Sequence, residues 1–122
     1  MQVSDAESVV MEVLWSRSPL GADDVVAELS ARSDWAEPTI KTLLNRLLKK
    51  GAIQAERDGR RYLYSPVLTR ESWVASQSEG VLERLFGGRV APLVAHFSER
   101  GTLSQDDIDE LKRLVGEIDD ER

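Results

Sequence analysis

The stretch TIKTLLNRLLKKG, residues 39–51, decides how the rest of the chain is read. Ile40, Leu43, Leu44, Leu47 and Leu48 recur at i, i+3, i+4, i+7 and i+8, the spacing of one buried helix face. The other face carries Thr39, Lys41, Thr42, Asn45, Arg46, Lys49 and Lys50, all hydrogen-bond donors, with no carboxylate among them. Phosphates and base edges are rich in acceptors, so a helix entering a DNA groove needs a face of this kind. Pro38 suits the first turn of such a helix, where a missing N–H costs nothing. Gly51 suits its C-terminal stop, after Lys49 and Lys50 have placed positive charge on the last turn.

Beyond Gly51 the period changes from helix to strand. Ala52–Arg57 and Arg60–Ser65 flank Asp58-Gly59, a strong two-residue hairpin signal, and Pro66 closes the second strand. Toward the N-terminus, Ser4 and Glu7 stand as a capping box for a first helix whose apolar face is Val9, Val10, Val13, Leu14 and Trp15. Pro19-Leu20-Gly21 is a turn with room for one or two extended residues, and a second helix fits Asp23 to Ala31 with Val25, Val26 and Leu29 inward.

Three helices followed by a two-stranded hairpin give the order of a winged helix-turn-helix. The third helix is then the recognition helix and the hairpin the wing. The expected fold is mostly α with a small β-hairpin: a DNA-binding domain over residues 1–67 and a helical dimerisation domain over residues 68–122. In the second of these, Thr69 caps a helix containing Trp73, Val74, Val81, Leu82 and Leu85, halted by Gly87-Gly88. A short helix follows around Val90 to Phe97, with Pro92 near its start, and Ser104 caps a last helix bearing Ile108, Leu111, Leu114, Val115 and Ile118 on one face. These stripes have no core of their own. Their expected cover is the same tail of a second copy, which also doubles the contacts made to DNA; folding back on the winged part of the same chain is the alternative.

Charge supports the division. The formal net charge is −6, yet residues 35–70 carry eight basic and three acidic side chains, against two and seven in residues 1–34 and six and twelve in residues 71–122. DNA responds to the patch that it touches more than to the total. The candidate DNA-contacting residues are Thr39, Lys41, Thr42, Asn45, Arg46, Lys49 and Lys50 on the helix, with Arg60 and Arg61 on the wing. Arg46 can fork onto guanine O6 and N7 and Asn45 can pair with adenine. Tyr62 and Tyr64 are read as sheet and core residues.

Composition excludes much else. Without cysteine there is no disulfide, thiolate metal site or cysteine catalysis. The one histidine, His96, lies beside apolar residues and reads as a packed side chain. Without a Gly-rich phosphate loop or a second histidine, no enzyme, metal site or cofactor is expected. The acidic run Asp106, Asp107, Asp109 and Glu110 is explained by a helix cap and a solvated face. No stretch is apolar enough for a membrane span or a signal peptide, so the expected location is cytoplasmic, with no membrane insertion.

Together these residues resemble a known family, the penicillinase and methicillin-resistance repressors. Ser4–Glu7 with Val10-Met11 and Leu14-Trp15 is similar to that family's first helix. Trp35, Thr39–Leu43 and Arg46-Leu47 resemble its recognition helix, and Lys49–Gly51 and Asp58–Arg60 continue the likeness. Leu93-Val94 with Phe97, Leu103–Gln105, Ile108 and Glu110-Leu111 resemble its dimerisation segment. The resemblance implies a homodimeric transcriptional repressor on a palindromic operator of double-stranded DNA. It also implies relief when a membrane sensor protease, or a protease it activates, causes cleavage in the C-terminal segment. That family is cut at an Asn-Phe bond; the matching pair here is His96-Phe97, with histidine in place of asparagine. Ala36-Glu37 replaces the hydroxyl N-cap frequent in the family, and the absence of cysteine removes the copper-sensing cluster of its copper-responsive branch. Two other readings stay open: a winged-helix regulator relieved by a small ligand, and a winged helix used as a protein-interaction module without DNA binding.

Overall fold

The computed structural model describes residues 1–121. Helix α1 spans Asp5–Ser16 and opens on the expected capping box: Ser4 Oγ accepts the Glu7 N–H at 3.1 Å and Glu7 Oε1 accepts the Ser4 N–H at 2.9 Å. Its buried face is Glu7, Val10, Met11, Val13 and Leu14. Val9, expected inward, is 40% exposed, and Met11 is fully buried in its place. The reason is angular, since Met11 lies one turn beyond Glu7 on the same stripe as Val10 and Leu14, whereas Val9 is rotated off it.

A two-residue strand β1 (Leu20–Gly21) leads into α2 (Ala22–Ser30). Asp24 closes the start of α2 by accepting the Gly21 N–H at 3.1 Å. Helix α3 follows over Glu37–Lys50 and stops at Gly51, whose φ of 78° is left-handed. Only glycine takes that conformation without strain. The hairpin is β2 (Ile53–Asp58) and β3 (Arg61–Pro66), paired from Ile53↔Pro66 to Asp58↔Arg61.

The loop is therefore Gly59-Arg60, one residue later than Asp58-Gly59. Gly59 has φ 65°, and among the described residues no non-glycine residue has a positive φ. Placing glycine first in the loop spares Asp58 the left-handed conformation and leaves Arg60 an ordinary one. The hairpin is not isolated, because β1 pairs antiparallel with β3 through Leu20↔Tyr64 and Gly21↔Leu63, giving a three-stranded sheet of order β1-β3-β2.

The chain folds as two compact units, Met1–Ala75 and the residues from Ser76 onward. In the first unit α1, α2 and α3 close around Val10, Leu14, Val25, Leu29, Ile40, Leu44 and Leu47, with Leu20, Ala52 and Ile53 supplied by the strands and the turn before them. Each large aliphatic side chain buried there contributes about 1.5–3 kcal/mol. The beginning of α4 (Arg70–Phe86) belongs to this unit. Trp73 lies against Trp15 with ring centroids 5.4 Å apart, the Trp15 indole N–H donates to the Leu68 carbonyl at 2.8 Å, and Arg70 meets Glu12 at 3.1 Å.

The second unit holds the rest of α4, then α5 (Val90–Glu99) and α6 (Gln105–Asp120). Pro92 falls in the first turn of α5, and Ser104 with Asp107 forms a capping box on α6. No residue of α4, α5 or α6 is buried. Leu85, Val115 and Ile118 are more than half exposed. Val94, Leu103, Ile108, Leu111 and Val115 line an open apolar cleft of about 490 Å³ between α5 and α6. Among the described residues, no helix is long and apolar enough to cross a membrane.

Candidate nucleic-acid interface

Helix α3 divides sharply by face. Ile40, Leu43, Leu44 and Leu47 are buried, which fixes the helix about its axis and turns Thr39, Lys41, Thr42, Asn45, Arg46 and Lys49 to solvent. The two-faced pattern in the sequence thus becomes a continuous exposed strip. Among the described residues, no ion pair or hydrogen bond engages the side chains of Asn45, Arg46 or Lys49.

Two residues of the strip have partners. Lys41 lies 3.1 Å from Glu37, one turn earlier, so a carboxylate does stand at the head of this face. Both side chains are about half exposed, and an exposed pair of this kind is worth at most about 1 kcal/mol, leaving the lysine free to exchange partners. The Thr42 hydroxyl donates to the Pro38 carbonyl at 2.9 Å.

Lys50 is directed elsewhere. Its ammonium donates to the Gln2 carbonyl at 2.8 Å and to the Glu7 carboxylate, which is only 1% exposed. Burial pushes the Glu7 carboxyl pKa up, but the Lys50 hydrogen bond, the Ser4 backbone and hydroxyl bonds and the Lys50 charge outweigh it, and the net value lies below the ordinary 4.5. A buried carboxylate without its cation would be costly. Lys50 therefore ties the end of α3 to the start of α1, a role that its place in the basic run concealed. The burial of Glu7 was legible in its spacing to Val10, Met11 and Leu14; its partner, 43 residues away, was not.

On the hairpin, Arg60 sits in the loop itself and is exposed. Arg61 reaches back to Asp24 at 3.8 Å, both groups being largely exposed. The Arg57 guanidinium donates to the Gly59 carbonyl at 3.0 Å and so braces the turn. The basic tip thus has one arginine shaping the loop and two presented around it.

His96 and Phe97 lie in the C-terminal half of α5. His96 is exposed, contrary to the packed side chain expected, with ring centroids 5.3 Å from Phe97 and 6.1 Å from Phe86. The unit around it buries no residue of its helices, so there is no core for the ring to enter. The Phe97 carbonyl accepts both the Thr102 N–H at 3.1 Å and the Thr102 hydroxyl at 2.9 Å, which closes the end of α5. Among the described residues, no cluster of three or more histidine, cysteine or acidic residues is arranged to hold a metal ion.

Residues 3–117 match the sequence profile of the family described as penicillinase repressor. The penicillinase repressor of Bacillus licheniformis is 37% identical over 116 residues, covering 95% of this chain and 91% of that one. The methicillin resistance regulatory protein MecI of Staphylococcus aureus is 31% identical over 114 residues, covering 93% of each. Among solved structures, the monomeric form of Bacillus licheniformis BlaI in complex with the blaP half-operator is similar, with a TM-score of 0.53 and 42% identity over 59% of this chain and 88% of that one.

Proposed function

This chain belongs to the penicillinase repressor family, and from that premise we propose that it is a homodimeric transcriptional repressor that holds a palindromic operator through two winged helices. The observation that carries the proposal is the exposed strip of α3 beside an arginine-bearing hairpin, on a helix whose other face is locked into the core. In this reading Asn45, Arg46 and Thr42 face base edges, Thr39, Lys41 and Lys49 hold phosphates, and Arg60 and Arg61 meet the backbone or minor groove from the wing. Lys50 is left out of the contacting set because Glu7 and Gln2 occupy its ammonium. The BlaI structure with a half-operator supports DNA as the partner of the winged part, assigned to residues 1–67.

The tail, residues 68–122, supplies the dimer interface. Its support is energetic: three amphipathic helices that bury no residue in a single chain leave apolar surface that a second copy would cover. Relief runs through cleavage at His96-Phe97. That bond lies inside α5, so the last turn of the helix must unwind before a protease can take the chain in extended form. The open cleft between α5 and α6 favours a second reading, in which a small apolar ligand loosens the dimer.

Selection from a random pool of duplex DNA tests the central statement. Two inverted half-sites about one helical turn apart are expected, and Arg46→Ala is expected to weaken binding by about 1–3 kcal/mol and to relax the preference at one base pair of each half-site. Unchanged affinity and preference would remove Arg46 from the readers. Intact protein in fully derepressed cells would favour the ligand over cleavage.

A further inference from the structure

Thr42 occupies the first half of α3, one turn after Pro38 and one turn before Arg46, on the exposed strip. Its hydroxyl lies 2.9 Å from the Pro38 carbonyl oxygen. A carbonyl can only accept, so the hydroxyl hydrogen is in that bond. What the side chain has left for a base is a methyl group and the lone pairs of an oxygen that no longer donates.

The major groove separates base pairs by the groups they present. Guanine offers two acceptors, N7 and O6, which repel an oxygen with no hydrogen to give. Thymine offers its C5-methyl group, which takes an apolar contact, and its partner adenine offers the N6 amino group, which can donate to the oxygen. The oxygen could equally accept from cytosine N4, so the methyl group is what singles out an A·T pair.

We propose that Thr42 is a specificity-determining residue that reads a thymine through methyl-to-methyl contact, one thymine in each half-site. The inference rests on the DNA-binding role of α3 proposed above and adds to it the base read and the atoms that read it. Arg46, one turn on, is the counterpart with free donors, so the two residues divide the strip into an A·T reader and a candidate guanine reader.

Deoxyuridine differs from thymidine only by the missing methyl. The test takes the sequence selected from the random pool by the full chain, replaces each thymine in turn by deoxyuridine, and measures the affinity of the wild type, Thr42→Val and Thr42→Ser. At one thymine per half-site, loss of the methyl is expected to weaken the wild type about fourfold. Thr42→Val keeps the methyl and gives up the hydroxyl, and it should show the same sensitivity; Thr42→Ser keeps the hydroxyl and gives up the methyl, and it should show none. If serine responds like the wild type, or valine loses the response, the methyl is not the reader and the inference falls alone. A pool that never converges on a sequence overturns the DNA-binding reading and this inference with it.

Discussion

The two units of the chain spend their apolar residues in opposite ways. Met1–Ala75 buries fourteen hydrophobic side chains, ten of them from α1, α2 and α3, and turns polar groups outward. The unit from Ser76 carries comparable stripes and buries none of its helical residues. A polar face that is left out of a closed core is available for a polar partner such as DNA. An apolar face that closes no core is available for an apolar one. The difference thus leaves a polar face on one region and an apolar face on the other, the two faces that the proposed function puts to use.

That contrast can be broken most forcefully in the tail. Val115 is 63% exposed, on the α6 stripe beside the cleft. Val115→Asp should leave the single chain folded and the affinity for one half-site unchanged, while affinity for the full palindrome falls about a hundredfold or more as the linked second site is lost. Titrations of half-site and full-site duplexes check both parts; a full-site affinity that survives the charge would detach the apolar stripe from dimerisation.

Core truncations sharpen the contrast next. Leu44 is 1% exposed and Leu114 is 40% exposed. Leu44→Ala should cost about 2–5 kcal/mol in denaturant unfolding. Leu114→Ala, measured at a concentration where the protein is monomeric, should cost less than about 1 kcal/mol. Equal costs would mean that the tail has a core after all.

A smaller effect belongs to the junction between α1 and α3. Glu7→Gln removes the buried anion but leaves Lys50, which is 36% exposed and can regain water, so the expected loss is about 1–3 kcal/mol at neutral pH. The folded-state pKa of Glu7 is lowered, so its contribution is complete above the ordinary 4.5 and fades as the pH falls through the lower folded value. The gap in stability between wild type and Glu7→Gln should therefore close in acid, below pH 4.5. A gap that holds constant from neutrality into that range would show that the charge of Glu7 is not what stabilises the junction.

Local chemistry made much of this legible in the sequence. The α3 stripe, the Ser4 and Ser104 capping boxes, the Gly51 stop and the hairpin each depend on residues within a few positions of one another, and each was formed as expected apart from the one-residue shift of the hairpin loop. What escaped depends on distant pairings. The partner of Lys50 is 43 residues away, the carbonyl that takes the Trp15 indole N–H is 53 away, and Arg70 and Glu12 are 58 apart. Pairing of β1 with β3 is likewise invisible in a two-residue strand. The candidate face was legible as a strip, but its internal division only in part. Glu37 with Lys41 and Pro38 with Thr42 stand four residues apart, a spacing that helix geometry brings together, whereas nothing in the order of residues says that Lys50 turns away to Glu7.

Sedimentation of the full chain, alone and with an excess of full-site duplex, decides whether two copies hold one operator. A species of twice 13.7 kDa is expected in the absence of DNA, and two chains on each palindrome. A 13.7 kDa monomer at micromolar concentration, binding the palindrome as one chain per duplex, would contradict a homodimer on the operator.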